Sequence, residues 1–386
     1  MTLLWNPHLE ADALKWRDLA VRLTTDHFAP AAAEIDQQQR YPTEHVTVLQ
    51  QSGIGAMFIP QQYGGSGASL TAVVAVMEAI AAGCASTSAI LAALQLGAFP
   101  ILSGGNDQQK QELLGGLARD GKAVCFALSE RNAGSDVSAM QTKAVREPSG
   151  WRIWGEKAWL GNGGHSQFYI VFAKCEPDNA ISAFIVPRDA QGVTVDHYED
   201  KLGIRGTTTT NLKLDVRVPE GSLVGPLGRG LRLAFQTLKV GRVVIAAQAL
   251  GIAVAAFEEA SLFASRRRAF GQVILDHQGV GFKLADALTE LTAARVMLYE
   301  VSRAYDAGED ISTMSSMVKL FASEVSHRIV DSAMQTLGGR GYVKPSPMER
   351  YYRDQRITEI YEGTSEIQRV VLVRAIKESL ASEKAH

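Results

Sequence analysis

The stretch IYEGTSEIQ at residues 360–368 holds the most suggestive chemistry in the chain. Gly363 marks a turn, and Ser365 and Gln368 stand at capping-box spacing, so the pattern predicts a helix starting near Ser365. Glu362 then sits on a tight turn flanked by Ile360 and Tyr361. An apolar setting favours the neutral carboxyl, raises its pKa and makes it a stronger general base. Read alone, the segment fits an exposed glutamate on a surface turn better than a catalytic one. Two other clusters could meet an anion. Arg266-Arg267-Arg268 offers guanidinium groups to phosphates, although such a run by itself reads as a solvated helix face. QTLGGRGY (335–342) brings Gly338, Gly339 and Gly341 together behind a helix. That is either a C-cap and turn or a set of backbone N–H groups offered to a phosphate or ring.

Other chemistries lack an anchor. The GxxxxGK spacing from Gly116 to Lys122 is followed by Ala123 rather than Ser or Thr, and it precedes a strand pattern instead of following one. No GxGxxG follows a strand, and HExxH and GxSxG are absent. Cys84, Cys125 and Cys175 form no CxxC pair, so no metal site is expected. With 39 Lys+Arg against 41 Asp+Glu, the net charge of −2 gives no long-range field for nucleic acid or a membrane surface. The acidic start (Glu10, Asp12, Asp18, Asp26) is not that of a targeting peptide, and the expected compartment is the cytoplasm. The apolar run 70–102 contains Glu78 and several small polar residues, and reads as a pair of buried helices rather than a membrane span.

The elements that must carry these residues fall into three parts, an α+β organisation. Residues 1–120 read as an N-terminal helical domain, with Trp16, Leu19, Ala20 and Leu23 at helical spacing. Residues 121–224 read as a compact β domain. NLKLDVRV (211–218) alternates strictly, QFYIVFA and ISAFIV are β-rich runs, and TKAVRE and WRIWGE flank Pro148-Ser149-Gly150 as hairpin strands would. Residues 225–386 read as a helical bundle. Leu284, Leu288, Leu291, Ala294 and Leu298 form a helical stripe, and no proline occurs between Pro226 and Pro345. A proline inside a helix costs about 3 kcal/mol, so that gap marks long helices.

Six ordered segments resemble the acyl-CoA dehydrogenase family. FIPQQYGGSGASL (58–70) is similar to its P-x-x-Y-G-G-x-G segment, and CFALSERNAGSDVSAMQTKA (125–144) to A-x-T/S-E-P-x-A-G-S-D. WGEKAWLGN (154–162) resembles G-x-K-x-W-I-T-N, and residues 201–225 resemble K-L-G-I-R-G-S-x-T through V-P. RRAFGQVILDHQ (267–278) and residues 335–369 resemble the two C-terminal signatures. The resemblance implies an N-terminal helical domain, a central β-barrel and a C-terminal four-helix bundle, assembled as a homotetramer or homodimer.

It also implies FAD as cofactor and Glu362 as the base that removes the α-proton of an acyl thioester while the β-carbon delivers hydride to flavin N5. In this reading Phe126, Leu128 and Ser129 line the flavin, with Trp159 and Gly161 beside its ring. Arg267, Phe270 and Gln278 hold the cofactor of a neighbouring subunit, as do Gln335, Gly338 and Gly339 at its pyrophosphate. Thr364 and Glu366 touch FAD at the start of the last helix. Ser135, Arg242, Tyr361 and Gly363 surround the thioester. The backbone N–H of the base and a flavin hydroxyl would hold the thioester oxygen. Some relatives carry the base immediately before the arginine matching Arg242; here that residue is Gly241, which leaves Glu362.

Three positions depart from the family pattern. Gly161 replaces a threonine, Lys239 stands where short-chain members often have Asp, and Arg131 replaces a proline. The implied partners are an acyl-CoA or acyl-carrier-protein thioester and an electron-transferring flavoprotein or another acceptor. Lys239 and Arg131 are the hints for a carrier protein. A same-fold oxidase or monooxygenase is disfavoured by the retained Glu362, and a non-catalytic helical protein would be colourless.

Overall fold

The computed structural model describes residues 4–383. Helix α1 (Ala11–Leu23) runs through a π-turn (Thr24–Phe28) into α2 (Ala29–Gln38), followed by α3 (Thr43–Gln51). The apolar run resolves into α4 (Leu70–Gly83) and α5 (Ala85–Gly104), then the short α6 (Asp107–Gln109) and α7 (Gly115–Asp120). Ser69 Oγ accepts from Ala72 N and starts α4. Gly83 is required where α4 passes the π-turn, because a Cβ there would lie 2.3 Å from Thr24 Cγ2. Helix α5 is long and apolar enough to cross a membrane, but 78% of its most apolar window is buried inside the protein.

Strands β1 (Val124–Ala127), β2 (Lys143–Glu147), β3 (Gly150–Gly161), β4 (Phe168–Cys175), β5 (Ala180–Pro187), β6 (Val193–Tyr198), β7 (Thr209–Val218) and β8 (Leu223–Val224) form one sheet. Its order is β6-β7-β3-β2-β4-β5-β8, with β1 parallel to β4. The β2–β3 hairpin turns at Pro148-Ser149, pairing Glu147 with Gly150. Leu212, Leu214, Val216 and Val218 of β7 face the sheet's own apolar core, and the residues between them are exposed. The closed barrel expected from the family resemblance is not formed among the described residues. The path ends at β6 and β8. These end strands, β6 of six residues and β8 of two, are not paired with each other.

The proline-free region is three long helices: α8 (Gly230–Arg266), α9 (Gln278–Asp306) and α10 (Ser312–Leu337). A hairpin of β9 (Arg268–Ala269) and β10 (Gln272–Val273) joins the first two. Gly338, at φ 59°, ends α10; α11 (Gly339–Tyr342), α12 (Met348–Gln355) and α13 (Ser365–Glu383) follow. Helix α8 packs against α4, α5, α9 and α10, and the apolar core is continuous from the N-terminal helices to the C-terminal ones.

One carboxylate links the two helical layers directly. Asp306, at the end of α9, accepts from Leu70 N (2.6 Å), Thr71 N (2.9 Å) and Thr71 Oγ1 (2.6 Å). It therefore satisfies orphan donors at the positive end of α4. Asp306→Ala should lower stability by about 1–2 kcal/mol, the cost of a lost cap, read as a reduced Tm; an unchanged Tm would show that the link carries no weight.

Candidate active site

Three pieces of chain meet at Glu362. Helix α8 brings Gly241 and Arg242, α10 brings Ser316 and Lys319, and the connection from α12 to α13 brings Tyr361, Glu362 and Gly363. A 3-10 turn (Arg356–Glu359) leads in, with Ile360 N and Tyr361 N both donating to Ile357 O. The backbone then reverses through left-handed conformations at Glu362 (φ 52°) and Gly363 (φ 94°). Glycine takes this conformation readily and glutamate does not, so the turn depends on outside support. Lys319 Nζ donates to Gly363 O at 2.7 Å, and Gln368 Nε2 donates to the same oxygen at 2.9 Å. Tyr361 OH donates to Gln248 Oε1, and Gln248 Nε2 donates to Ala85 O, which ties the turn to α8 and α5.

The expected helix does start at Ser365, but the cap is Thr364: its Oγ1 accepts from Ile367 N at 3.3 Å. Ser365 Oγ is buried without a partner, and Gln368 is turned back to the Gly363 carbonyl. The capping-box spacing was thus right for the helix and one residue late for the cap.

Glu362 is half-buried as a residue, yet its Oε2 is enclosed and has no hydrogen-bond partner. The carboxylate lies directly against Gly241; a Cβ there would stand 2.0 Å from Oε2. Burial lifts the Glu362 carboxyl from 4.5 to about 7, against the opposing pull of Lys319 and Arg242. Burial likewise lowers Lys319 to about 8 and pulls Arg242 below its ordinary value, while Glu362 acts to keep both charged. Arg242 Nη1 donates to Ser316 Oγ at 3.0 Å, and its Nε has no partner. The cluster is therefore a basic carboxylate with one open oxygen between two buried cations.

A second group of expected residues lies on the sheet. Ala158 N donates to Ser129 O at 2.9 Å, which places Trp159 beside the end of β1. The β3–β7 register shifts between Lys157 and Leu160, Trp159 takes φ 59°, and its N donates to Asn211 Oδ1 at 3.0 Å. The indole is 49% exposed as a result. Phe126 packs on Phe172 with ring centroids 5.0 Å apart, Leu128 is buried, and Gly161 and Ser135 are exposed. Beneath them Lys157 is fully buried, donating to Leu128 O (3.0 Å) and Glu130 Oε1 (2.9 Å); burial pulls it to about 8. Glu130 also accepts from Gln141 N, Thr142 N and Thr142 Oγ1.

The remaining candidates stand elsewhere. Arg267 and Gly339, with Arg266, Arg340 and Phe263, line a cleft of about 560 Å³. Arg267 follows the end of the chain's longest helix, twenty-five residues beyond Arg242 and about 37 Å away along its axis. Phe270 is 96% exposed, and Gln278, Gln335 and Gly338 are exposed as well. Arg267 is therefore too far from Glu362 for one dinucleotide to reach both. Thr364 caps α13, and Glu366 is exposed beside it. The two departures that suggested a carrier protein are both in ion pairs, Lys239 with Asp310 at 3.0 Å and Arg131 with Glu199 at 3.9 Å.

Family models for the N-terminal, middle and C-terminal domains of acyl-CoA dehydrogenase match residues 10–121, 125–216 and 228–377. The chain belongs to the acyl-CoA dehydrogenase family. It is 42% identical to the mitochondrial short-chain specific acyl-CoA dehydrogenase of Bos taurus over 92% of this chain and 87% of that protein. Among solved structures, butyryl-CoA dehydrogenase from Megasphaera elsdenii superposes with a TM-score of 0.93 at 34% identity, covering 96% of this chain and all of that one. An acyl-CoA dehydrogenase complexed with FAD from Bacillus anthracis gives a TM-score of 0.91 at 27% identity, over 99% of this chain and 70% of that one. The protein is thus an FAD-dependent acyl-CoA dehydrogenase. The groups present suit that cofactor: a half-exposed indole offers a flat apolar face, and the distant arginine-lined cleft offers guanidinium groups to the pyrophosphate of a different FAD molecule.

Lys319, Gln248, Ser316, Asn211 and the Glu130–Lys157 pair were not among the expected site residues. Lys319 did leave a trace in the sequence. Ser315, Lys319, Ala322, Ser326 and Ile329 recur at helical spacing and are all buried, so the lysine interrupts an otherwise small and apolar stripe. No pattern announces Gln248 or Asn211, whose partners lie far away in the chain.

The enclosed carboxylate makes stability depend on pH. Its folded pKa of about 7 exceeds the ordinary 4.5, so the native state binds the proton more tightly. That contribution is complete below the unfolded value and is lost as pH rises through the folded one. Glu362→Gln removes the buried charge. Relative to the wild type, it should gain roughly 1–3 kcal/mol on going from about pH 5 to about pH 8, measured by denaturant unfolding; a pH-independent difference would mean that the carboxylate is effectively solvated.

Proposed function

We propose that the enzyme converts a short-chain acyl-CoA to its trans-2-enoyl-CoA, with Glu362 as the base. The observation that carries this reading is the Glu362 carboxylate itself, enclosed against Gly241 with one oxygen unpartnered and a proton affinity near neutrality. The thioester carbonyl acidifies the α-carbon. Glu362 takes the α-proton, the Cα–H electrons form the Cα=Cβ bond, and the thioester is retained. FAD, when bound, supplies the two-electron oxidation by accepting the β-hydrogen with its bonding electrons. The Glu362 N–H has no acceptor among the described residues, which supports its donating to the thioester oxygen, where negative charge would develop. Tyr361 and Gln248 hold the turn in place while this happens.

Trp159, Phe126, Leu128 and Ser129 are the residues of this copy that would face the flavin ring. Arg267, Phe270, Gln278, Gln335, Gly338 and Gly339 would hold the cofactor of a second copy, in keeping with the distance of Arg267 from Glu362. This reading makes the active form a homodimer or homotetramer, with an electron-transferring flavoprotein as acceptor.

The purified enzyme should be yellow, and butyryl-CoA should bleach it under anaerobic conditions. Glu362→Gln should keep the colour and slow bleaching by roughly 10²–10⁴-fold, the usual worth of a general base. Reduction at the wild-type rate would remove Glu362 from the mechanism. Faster bleaching by a butyryl carrier protein than by the CoA thioester would move the substrate to a carrier. Gly241→Ala should also keep the colour and the fold, yet slow bleaching by about 10²-fold, because the methyl group displaces the carboxylate by more than an ångström; single-turnover absorbance at the flavin band reads both variants.

A further inference from the structure

We propose that Lys319 is the positioning residue of this active site: its ammonium locks the left-handed turn through the Gly363 carbonyl and supplies the buried positive charge that keeps Glu362 ionised. The proposal rests on the reading of Glu362 as the base.

Lys319 has no exposed surface. Lysine is almost never fully buried unless it is paired, yet among the described residues Lys319 forms no ion pair within 4.0 Å. Its hydrogen bond goes to the Gly363 carbonyl, a neutral oxygen already held by Gln368 Nε2. The charge of the ammonium is therefore not spent on a touching carboxylate, and its field acts on the groups around it. Those groups are Glu362 on the turn, Glu359 before it, Arg242 on α8 and Glu366 on α13. Glu359 is bound to His327 (2.6 Å) and Arg356 (3.5 Å), and Glu366 is exposed to water. Arg242 is a like charge. Glu362 is left as the buried anion with which Lys319 interacts most strongly. Conversely, the charged groups that face Glu362 are Lys319 from α10 and Arg242 from α8, beside the neutral phenol of Tyr361.

The two effects serve one end. A buried carboxyl with no cation nearby holds its proton at neutral pH and cannot act as a base. The two cations restrain the upward push of burial so that the group stops at about 7. The hydrogen bond meanwhile supports the left-handed pair Glu362–Gly363, which sets where the carboxylate points. A lysine that merely plugged the space between α10 and α13 would do the second and not the first.

Three variants of the FAD-loaded enzyme separate these roles. Lys319→Gln keeps a donor for the Gly363 carbonyl without the charge, Lys319→Met removes both, and Lys319→Arg keeps the charge. The readout is the protonation midpoint of the Glu362 carboxyl by pH-difference infrared spectroscopy without substrate, the band being assigned by its loss in Glu362→Gln. Lys319→Gln and Lys319→Met should raise the midpoint by about one unit or more, the effect of removing a neighbouring cation. Lys319→Arg should leave it at the wild-type value. The acid limb of single-turnover flavin reduction by butyryl-CoA should move to higher pH by the same amount. An unchanged midpoint in Lys319→Gln, or an equal rise in Lys319→Arg, would overturn the proposal. If Lys319→Met fails to fold, Lys319→Gln decides alone. Wild-type flavin reduction by Glu362→Gln would instead overturn the base assignment and leave the infrared result to judge Lys319.

Discussion

A carboxylate that is to take a proton from carbon must be dry enough to be basic and still ionised where it works. In the proposed role, Glu362 would meet both demands through its neighbours. Gly241 gives up a side chain so that the carboxylate can lie against α8, and Lys319 and Arg242 offset the burial that follows. The arrangement is not one of touching ion pairs. Each cation hydrogen-bonds to a neutral oxygen, Gly363 O or Ser316 Oγ, and leaves Oε2 of the glutamate open. A direct bridge would have occupied that oxygen, which the proposed function assigns to proton transfer.

The rest of the fold can be understood from what this cluster needs. Helix α8 is the spine: one turn of it carries Gly241 and Arg242, Gln248 stands nearly two turns further on, and its far end carries Arg266 of the distant cleft. Its burial by α4, α5, α9 and α10 makes it a rigid ruler between the two places. The sheet has its own core and its own buried cation, Lys157, which binds the end of β1 to β3 beneath Trp159. In both places a lysine removed from water holds a main-chain carbonyl next to a candidate functional side chain. Desolvation makes such a lysine expensive, and the cost explains why each one sits under a site rather than in the general core.

Much of the architecture was legible because it rests on local periodicity. The long proline-free helices, the β2–β3 hairpin, the alternating strand β7 and the glycine stop of α10 all follow from side-chain spacing or turn chemistry. What failed depended on partners distant in sequence. Closure of the sheet into a barrel requires two end strands to meet, and β8 is too short to reveal that from its own residues. The cap of α13 moved from Ser365 to Thr364 because Gln368 is drawn away to the Gly363 carbonyl by the geometry of the turn.

The sequence by itself determined the three-part order of helix, strand and helix, the turn at Gly363 and the identity of the one glutamate that stands on it. It also determined that position 241 could not carry a competing acid. Only the tertiary structure decided that this glutamate has an enclosed carboxylate of raised proton affinity rather than an exposed one. Its proton affinity comes from exclusion of water by α8 and α10 and from charges more than forty residues away in the chain, Lys319 before it and Arg242 earlier still. Burial and electrostatic fields depend on which atoms are close in space, and no spacing along one strand of sequence records that distance.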